Sequence, residues 1–170
     1  MNWSSFAAAA PELAERVHAR FEATRIGLLG TIRRDGTPRI SPIEVVFVDD
    51  ELMLGMMWQS LKARDLLRDR RFLLHSIVSD PEAPEGEYKL RGRAASVESG
   101  PLLQRFGDVC EAKFGWRPPE ATTHVFALDI QEAAHLCIDP SDNTQNVVRW
   151  REGGAVTSTT RRWTGSGFVD

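Results

Sequence analysis

The sequence predicts a mainly β protein in which a small antiparallel barrel is flanked by helices. A length of 170 residues fits one compact domain. Short apolar runs bounded by turn residues predict about seven or eight strands, against about three helical patterns. The strands do not alternate with helices, which argues against a doubly wound parallel fold. We therefore interpret residues 1–170 as a single domain with a barrel core over 26–162.

The N-terminal third of the chain predicts one helix and three strands. Apolar residues that recur every four positions behind a leading proline predict an amphipathic helix over 11–24. Short apolar runs predict strands over 26–32, 37–48 and 51–57. The Asp-Gly pair between the first two runs is a strong hairpin signal, so the three strands form an antiparallel sheet. Two prolines within 37–48 require an edge, a bulge or a bend there.

The remainder of the chain predicts further strands and two more helices. Ser60 is placed as the N-cap of a short helix over 61–68, and a longer amphipathic helix covers 100–115. Two prolines, a glycine and three acids predict an exposed loop over 79–86, and the tail at 165–170 is expected to fray. The other predicted elements are strands at 72–78, 87–98 and 124–138, bent near 131–132, and a closing hairpin over 147–162.

Charge and cysteine content narrow the class of protein. With 21 Lys and Arg against 24 Asp and Glu, the net charge is −3, which argues against bulk nucleic-acid binding. Cys110 and Cys137 lack metal-ligand or disulfide-framework spacing. The chain carries neither a secretion-signal pattern nor an apolar run long enough to span a membrane. We expect a cytoplasmic protein without a metal site.

Motifs of hydrolytic and dinucleotide-binding enzymes are missing from the sequence. It contains no G-x-G-x-x-G, no Walker loop, no G-x-S-x-G and no H-E-x-x-H. The four histidines are scattered, and each is interpreted as a packing or surface residue. No catalytic residue is therefore assigned.

Two segments suggest an anion site. Arg39 lies on the second predicted strand, and Ser60 and Lys62 open the short helix at 61–68. A helix N-terminus offers free backbone N–H groups and a partial positive charge, and Ser60 and Lys62 add a hydroxyl and an ammonium. Arg39 can reach the same phosphate bidentately. The alternative is an ordinary serine cap followed by a solvated cationic face, and the motif alone leaves both open.

The order of the segments resembles a known family. A hairpin with Arg-Ile-Ser-Pro at 39–42 is followed by Ser-Leu-Lys-Ala at 60–63, Arg-Arg-Phe at 70–72 and Tyr-Lys-Leu-Arg-Gly-Arg-Ala at 88–94. This series is similar to the FMN-binding split-barrel family related to pyridoxamine 5′-phosphate oxidase. The resemblance extends over about 11–162 and is sharpest between 26 and 78.

The resemblance implies a fold, a cofactor and a set of contacts. It implies a six-stranded antiparallel split β-barrel that forms a homodimer, with FMN, or the deazaflavin F420, in the groove between subunits. The implied activity is hydride transfer to or from a small organic substrate, with the cofactor supplying the chemistry. The implied cofactor residues are Arg39, Ser60 and Lys62 at the phosphate, Met57, Trp58 and Gln59 along the cofactor, and Ser41, Pro42 and Ile43 at the ring.

Three departures predict a substrate other than pyridoxine phosphate. Glu44 stands where the oxidases have a lysine, and Leu61-Lys62 stands where they have Arg-Lys. Their C-terminal Trp, Arg and His signature has no match in this chain. A carboxylate beside a phosphate is repulsive unless it points away or pairs with a cation.

Other functions fit the same sequence. An F420-dependent reductase needs a cationic groove beyond the phosphate site, for which Arg64, Arg68, Arg91 and Arg93 are candidates. A flavin or heme carrier, or a stress-response binding protein without turnover, requires for heme that His75 or His135 ligate iron. A cofactor-free dimeric barrel, in which Ser60 is only a helix cap, is the remaining alternative.

Overall fold

Antiparallel strands dominate the computed structural model, which describes residues 1–78 and 85–169. Within these ranges ten strands form one sheet, and four α-helices and a short 3-10 turn at Glu120–Thr122 accompany it. The helices are α1 Trp3–Ala9, α2 Pro11–Thr24, α3 Leu61–Arg68 and α4 Pro101–Phe114. The strands are β1 Ile26–Ile32, β2 Pro38–Glu44, β3 Val46–Val48, β4 Glu51–Met57, β5 Arg71–Ser76, β6 Glu87–Ser96, β7 Thr123–Asp139, β8 Thr144–Arg151, β9 Thr157–Trp163 and β10 Phe168–Val169.

Six of these strands form the barrel. They follow the order β2-β1-β5-β6-β7-β4, and every ladder is antiparallel. Strands β2 and β4 contact each other, but no ladder joins them among the described residues, so the barrel is split along this line. Short β3 pairs with β4, while β8, β9 and β10 extend the sheet beyond β7. The predicted antiparallel split barrel with flanking helices is therefore confirmed.

The second predicted strand, at 37–48, is divided in two. Strand β2 ends at Glu44 and β3 begins at Val46, because the Val45 N–H donates to the Arg25 carbonyl at 3.0 Å. Among the described residues, strand β2 pairs only with β1 and lies at the edge of the sheet, the position where prolines are tolerated in strands. Of the predicted alternatives, an edge, a bulge or a bend, the structure shows an edge strand.

The long strand β7 bends where the sequence suggested. The β6–β7 register shifts between Arg91 and Gly92, and Gln131 is the extra residue opposite them. A Cβ on Gly92 would lie 1.8 Å from the Asp129 carbonyl oxygen, so the close approach of the strands requires glycine. Bulges of this kind re-aim side chains and increase strand twist.

The two ends of the chain differ from the sequence prediction. Helix α1 was not predicted, although Asn2 caps it by accepting from the Ser5 N–H at 3.2 Å. The tail expected to fray contains strand β10, which pairs with Trp163 and Arg162. Residues 79–84 of the predicted loop lie outside the described residues. No helix in the described part of the chain is both long and apolar enough to cross a membrane.

Two buried clusters support the barrel. The larger is capped by α1 and α2, with Phe6, Phe21 and Trp150 almost completely buried within it. The smaller lies beneath α4 and includes Phe106 and Cys110. A groove opens between this second cluster, the edge strand β2 and the start of α3.

Candidate functional site

The groove that opens between β2, α3 and α4, here called the first groove, has a volume of about 530 Å³. This is large enough for a drug-sized ligand or a cofactor. Strands β2 and β4 and the first turn of α3 form one wall, and α4 with the segment that follows it forms the other. The lining residues are Ile26, Pro42, Ile43, Glu44, Val46, Gly55, Met56, Met57, Ser60, Lys62, Phe106, Cys110, Trp116, Pro118, Pro119, Thr122 and Thr123.

The start of helix α3 presents an unused hydroxyl to the first groove. Gln59 adopts a left-handed backbone with φ 58°, and the Ser60 N–H donates to the Met57 carbonyl at 3.1 Å. This tight turn sets Ser60 at the N-cap position, but its side chain makes no capping bond. The Ser60 Oγ is buried and has no hydrogen-bond partner among the described residues. A buried polar atom of this kind carries a desolvation cost that a bound ligand can relieve.

Lys62 connects helix α3 to the edge strand. Its Nζ donates to the Pro42 carbonyl oxygen at 2.8 Å, which leaves two of the three ammonium hydrogens for another acceptor. Burial lowers the pKa of Lys62, and the carboxylate of Glu44 acts in the opposite direction. The ammonium is thus held at the groove wall, on the second residue of helix α3.

Arg39, predicted at the phosphate, is held elsewhere. It does not line the first groove, and its Nε donates to the Asp65 Oδ2 at 2.6 Å. Asp65 is buried on α3 and also accepts from the Thr31 hydroxyl at 3.0 Å. Burial works to raise the pKa of the Asp65 carboxyl, but hydrogen bonds from Arg39, Thr31 and Arg68 lower it overall. Arg39 therefore braces β2 against α3.

The remaining predicted cofactor residues divide between the groove and its surroundings. Pro42, Ile43 and Met57 line the first groove together with Ser60 and Lys62. The other three, Ser41, Trp58 and Gln59, are not among its lining residues.

Trp58 is stacked on a histidine. The Trp58 ring lies parallel to the His124 ring, with centroids 4.2 Å apart and planes 13° apart. His124 is buried, and its Nε2 has no partner among the described residues. The backbone N–H of Trp58 donates to the Thr122 carbonyl at 2.9 Å. Packing against β7 thus fixes the indole outside the groove.

The second wall of the first groove was missed by the sequence analysis. Helix α4 was predicted as an amphipathic helix with no role in a site, yet Phe106 and Cys110 line the groove from it. Burial, followed by the charge of Glu44, raises the pKa of the Cys110 thiol to about 11. Trp116 and Pro118 follow α4, and the Trp-Arg-Pro-Pro run was the one sequence signal for an irregular, partly apolar wall.

The histidines considered as heme ligands lie outside the grooves. Both ring nitrogens of His75 are hydrogen-bonded, Nδ1 to the Ser76 carbonyl at 2.6 Å and Nε2 to Glu87 at 2.7 Å. His135 is stacked on Tyr88, and burial lowers its pKa. Over residues 1–78 and 85–169, no group of three or more His, Cys, Asp or Glu residues is arranged to hold a metal ion.

A second groove of about 500 Å³ lies on the other side of β2. Arg39, Arg71 and Arg91 line it, and none of its lining residues belongs to the first groove. Of the arginines considered for an F420-type groove, only Arg91 is among these lining residues. Arg68 instead donates to Asp65 and to the Ile32 carbonyl.

Comparison with known proteins places the chain in a described family. The family model for pyridoxamine 5′-phosphate oxidase matches residues 13–137, which is most of the chain. No curated protein matches it. The matched range includes β1 to β6 and almost all of β7, and therefore the whole barrel together with both walls of the first groove.

Solved structures share the fold at low sequence identity. A pyridoxamine 5′-phosphate oxidase-related, FMN-binding protein from Nostoc punctiforme superposes with a TM-score of 0.60 at 14% identity, over 89% of this chain and 95% of that one. PhzG from Burkholderia lata, in complex with tetrahydrophenazine-1-carboxylic acid, superposes with a TM-score of 0.62 at 15% identity, over 91% of this chain and 93% of that one. At these identities the likeness establishes the fold alone.

A third similar structure binds heme. The heme-binding protein from Mycobacterium smegmatis superposes with a TM-score of 0.59 at 21% identity over 87% of this chain. The present chain spans only 57% of that protein's length. Proteins of this fold therefore include heme binders as well as FMN binders.

Proposed function

Because the chain belongs to the pyridoxamine 5′-phosphate oxidase family, we propose that it binds FMN in the first groove and transfers hydride to or from a small organic substrate. The observation that carries this proposal is the buried Ser60 hydroxyl, which has no partner among the described residues. It lies at the first turn of α3 beside the Lys62 ammonium. A phosphate group satisfies both, and the helix N-terminus favours its negative charge.

The first groove suits both ends of FMN. Ser60 and Lys62 hold the phosphate, since one offers a hydroxyl and the other retains two free ammonium hydrogens beside the bond to Pro42. The apolar walls, including Met57 and Phe106, suit the aromatic ring system. When bound, FMN supplies the hydride chemistry, so the protein itself needs no acid-base pair.

The residues of the chain then position and shield the cofactor. Pro42 and Ile43 border the ring from the edge strand, while Phe106 and Trp116 exclude water from the opposite wall. Arg39 acts indirectly, because its bond to Asp65 fixes the helix that carries the phosphate ligands. No catalytic residue is assigned.

A second copy of the chain completes the site in this proposal. Met57 at the groove rim is 80% exposed and Trp116 is 50% exposed, which is an unusual position for large apolar side chains in a monomer. A cytoplasmic homodimer that covers this rim buries both. A monomer that retains bound FMN, measured by light scattering, contradicts this part of the proposal.

The substrate is expected to differ from pyridoxine phosphate. Glu44 lines the first groove on the same strand as Pro42, and its carboxylate faces the region of Lys62. A second phosphate in this groove meets that negative charge at close range. A small, neutral or weakly charged organic molecule avoids this repulsion.

Titration of the purified protein with FMN and with riboflavin tests the proposal. Riboflavin is the matched control, because it has the same ring system without the phosphate. The fluorescence of FMN is expected to be quenched on binding, with one FMN bound per chain. FMN is also expected to bind at least tenfold more tightly than riboflavin. Equal affinities contradict a phosphate site at Ser60. Binding of F420 with no binding of FMN, or a Soret band after heme addition alone, supports instead the deazaflavin or heme-binding alternative.

A further inference from the structure

The second groove lies on the outer surface of the barrel and is independent of the first. It is formed by strands β1, β2, β5 and β6, with one residue from the bulge of β7. Its volume of about 500 Å³ is sufficient for a small organic molecule. Nothing in the proposed FMN site requires it, so its chemistry needs a separate explanation.

The carboxylates around the second groove are shared between arginines. Each of two carboxylates forms ion pairs with two arginines, so two positive charges share one negative charge in both groups. Asp65 bonds Arg39 and Arg68, and Glu132 bonds Arg91 at 2.6 Å and Arg151 at 3.0 Å. Asp65 and its two arginines lie on the α3 side of the sheet, where Arg39 is the register partner of the buried Thr31. On the outward side, Glu132 with Arg91 and Arg151 carries one net positive charge.

A further arginine pair adds to this surplus. Arg71 and Arg93 stand directly opposite each other in the β5–β6 ladder, where like charges destabilise a sheet. Arg71 bonds Asp69, and the charge of Arg93 also acts on that carboxylate, while Asp129 is the β7 register partner of Arg93. With Asp129 counted, the outward face carries four arginines, Arg71, Arg91, Arg93 and Arg151, against three carboxylates, Asp69, Asp129 and Glu132. This surplus of exposed guanidinium groups favours an anionic ligand on the outward face.

The floor of the second groove is apolar. Ile40 is 73% exposed and Leu73 is 43% exposed, and both line the groove between the arginines. The bulge residue Gln131 places an amide at the same groove. Exposed aliphatic side chains ringed by guanidinium groups are suited to a molecule that is both apolar and anionic.

We propose that the second groove binds a small organic anion with an aromatic or aliphatic body. Its carboxylate or phosphate is held by Arg71 and Arg91, and its body packs on Ile40 and Leu73. Both arginines are more than half exposed, with side-chain exposures of 64% and 61%. Each guanidinium has five N–H donors and its ion pair uses only some of them, so an incoming anion can bind beside Asp69 or Glu132. A guanidinium can bind either anion bidentately.

Calorimetric titration with three naphthalene compounds tests the site and its chemistry. 2-Naphthoate and 2-naphthyl phosphate carry the two anions on one ring system, and 2-naphthalenemethanol is their uncharged control. We expect one anion per chain, bound at least tenfold more tightly than the alcohol, with an affinity that falls as salt increases. The Arg71→Gln/Arg91→Gln double variant is expected to lose at least tenfold. Arg105→Gln is the control, since this arginine on α4 is also about half exposed, with a side-chain exposure of 51%, and lies outside both grooves.

Three results overturn the proposal. One is that the double variant, the Arg105→Gln control and the unaltered chain all bind the naphthalene anion with the same affinity. Another is stoichiometric displacement of the naphthalene anion by FMN, which puts the anion in the first groove. The third is a change in oligomeric state of the double variant without a change in anion affinity, which makes this face a contact between copies of the chain. A variant with Leu73→Ser that keeps full affinity likewise contradicts the assigned apolar contact.

Discussion

The Arg39 Nε donates a hydrogen bond of 2.6 Å to the Asp65 Oδ2, and this bond joins the edge strand β2 to helix α3. Asp65 is buried and also accepts from Thr31 on β1, so one carboxylate ties three elements together. The residue predicted to bind a phosphate directly thus fixes the helix that presents Ser60 and Lys62. In the proposed function, the contribution of Arg39 to ligand binding is one of positioning.

Asp65→Asn is expected to destabilise the protein. Removing one charge of a largely buried pair leaves Arg39 uncompensated, and we expect the free energy of unfolding to fall by about 2–3 kcal/mol. Urea denaturation at pH 7 measures this change. Asp108→Asn is the matched control, because Asp108 pairs with Arg117 at the surface and is 50% exposed. Its loss is expected to stay within about 0.5 kcal/mol, and similar losses for both variants contradict a special role for Asp65.

Stability is expected to decrease in acid. Hydrogen bonds from Arg71 lower the pKa of Asp69 from 3.8 to about 2, and the pKa of Asp65 is also lowered. Because both carboxyls have a lower pKa when folded, the unfolded chain binds more protons once the pH falls below about 4. Their stabilisation is complete above that value and is lost as the pH falls through the folded pKa. The loss is measured as the decrease of the urea unfolding midpoint between pH 5 and pH 2.5. This decrease with pH is expected to be less steep in Asp65→Asn. An unchanged slope in that variant contradicts the assignment.

Local signals were sufficient for most of the fold. The Asp-Gly turn, the leading proline of α2 and the alternation of β6 act over a few residues, and each element lies close to its predicted bounds. The split of the second strand at Val45 was not predictable, because it depends on a bond to Arg25 from another element. Helix α1 was missed because its apolar side chains bury against residues as distant as Trp150.

The candidate site was predictable only along one wall. Ser60 and Lys62 are adjacent in sequence to a helix start, so their position at a groove followed from local pattern. The bond of Arg39 to Asp65 was not predictable, because Asp65 lies 26 positions away and nothing in the sequence marks the pair. The wall of Phe106 and Trp116 depends on how α4 packs on β3, which is set by tertiary contacts.

Lys62→Ala is expected to weaken FMN binding. Loss of one charge-assisted hydrogen bond to the phosphate corresponds to about 1–3 kcal/mol, or roughly fivefold to more than a hundredfold in affinity. Riboflavin affinity is expected to stay the same, since it has no phosphate to lose. Fluorescence titration of both ligands measures the difference. Arg64→Ala, an exposed cation two positions along the same helix, is the matched control. Equal weakening of FMN and riboflavin indicates a structural role for Lys62.

Glu44→Gln is expected to act in the opposite direction. Glu44 lines the first groove, so its carboxylate opposes a phosphate bound at Lys62. Removing one like charge is expected to tighten FMN binding roughly threefold to tenfold, with the larger effect at low salt. Riboflavin again serves as the uncharged comparison in the same titration. A weaker FMN complex shows instead that Glu44 holds Lys62 in its binding position.

Cys110 is expected to report occupancy of the first groove. Burial raises the pKa of its thiol to about 11, so little thiolate exists at neutral pH, and alkylation by iodoacetamide is expected to be slow. Cys137 is only partly buried and serves as the internal control, with both residues followed by peptide mass spectrometry. Raising the pH from 7 to 9 is expected to accelerate modification of Cys110, and saturating FMN is expected to suppress it without slowing Cys137. FMN that protects neither residue, in a protein shown to bind it, places the cofactor outside the groove that Cys110 lines.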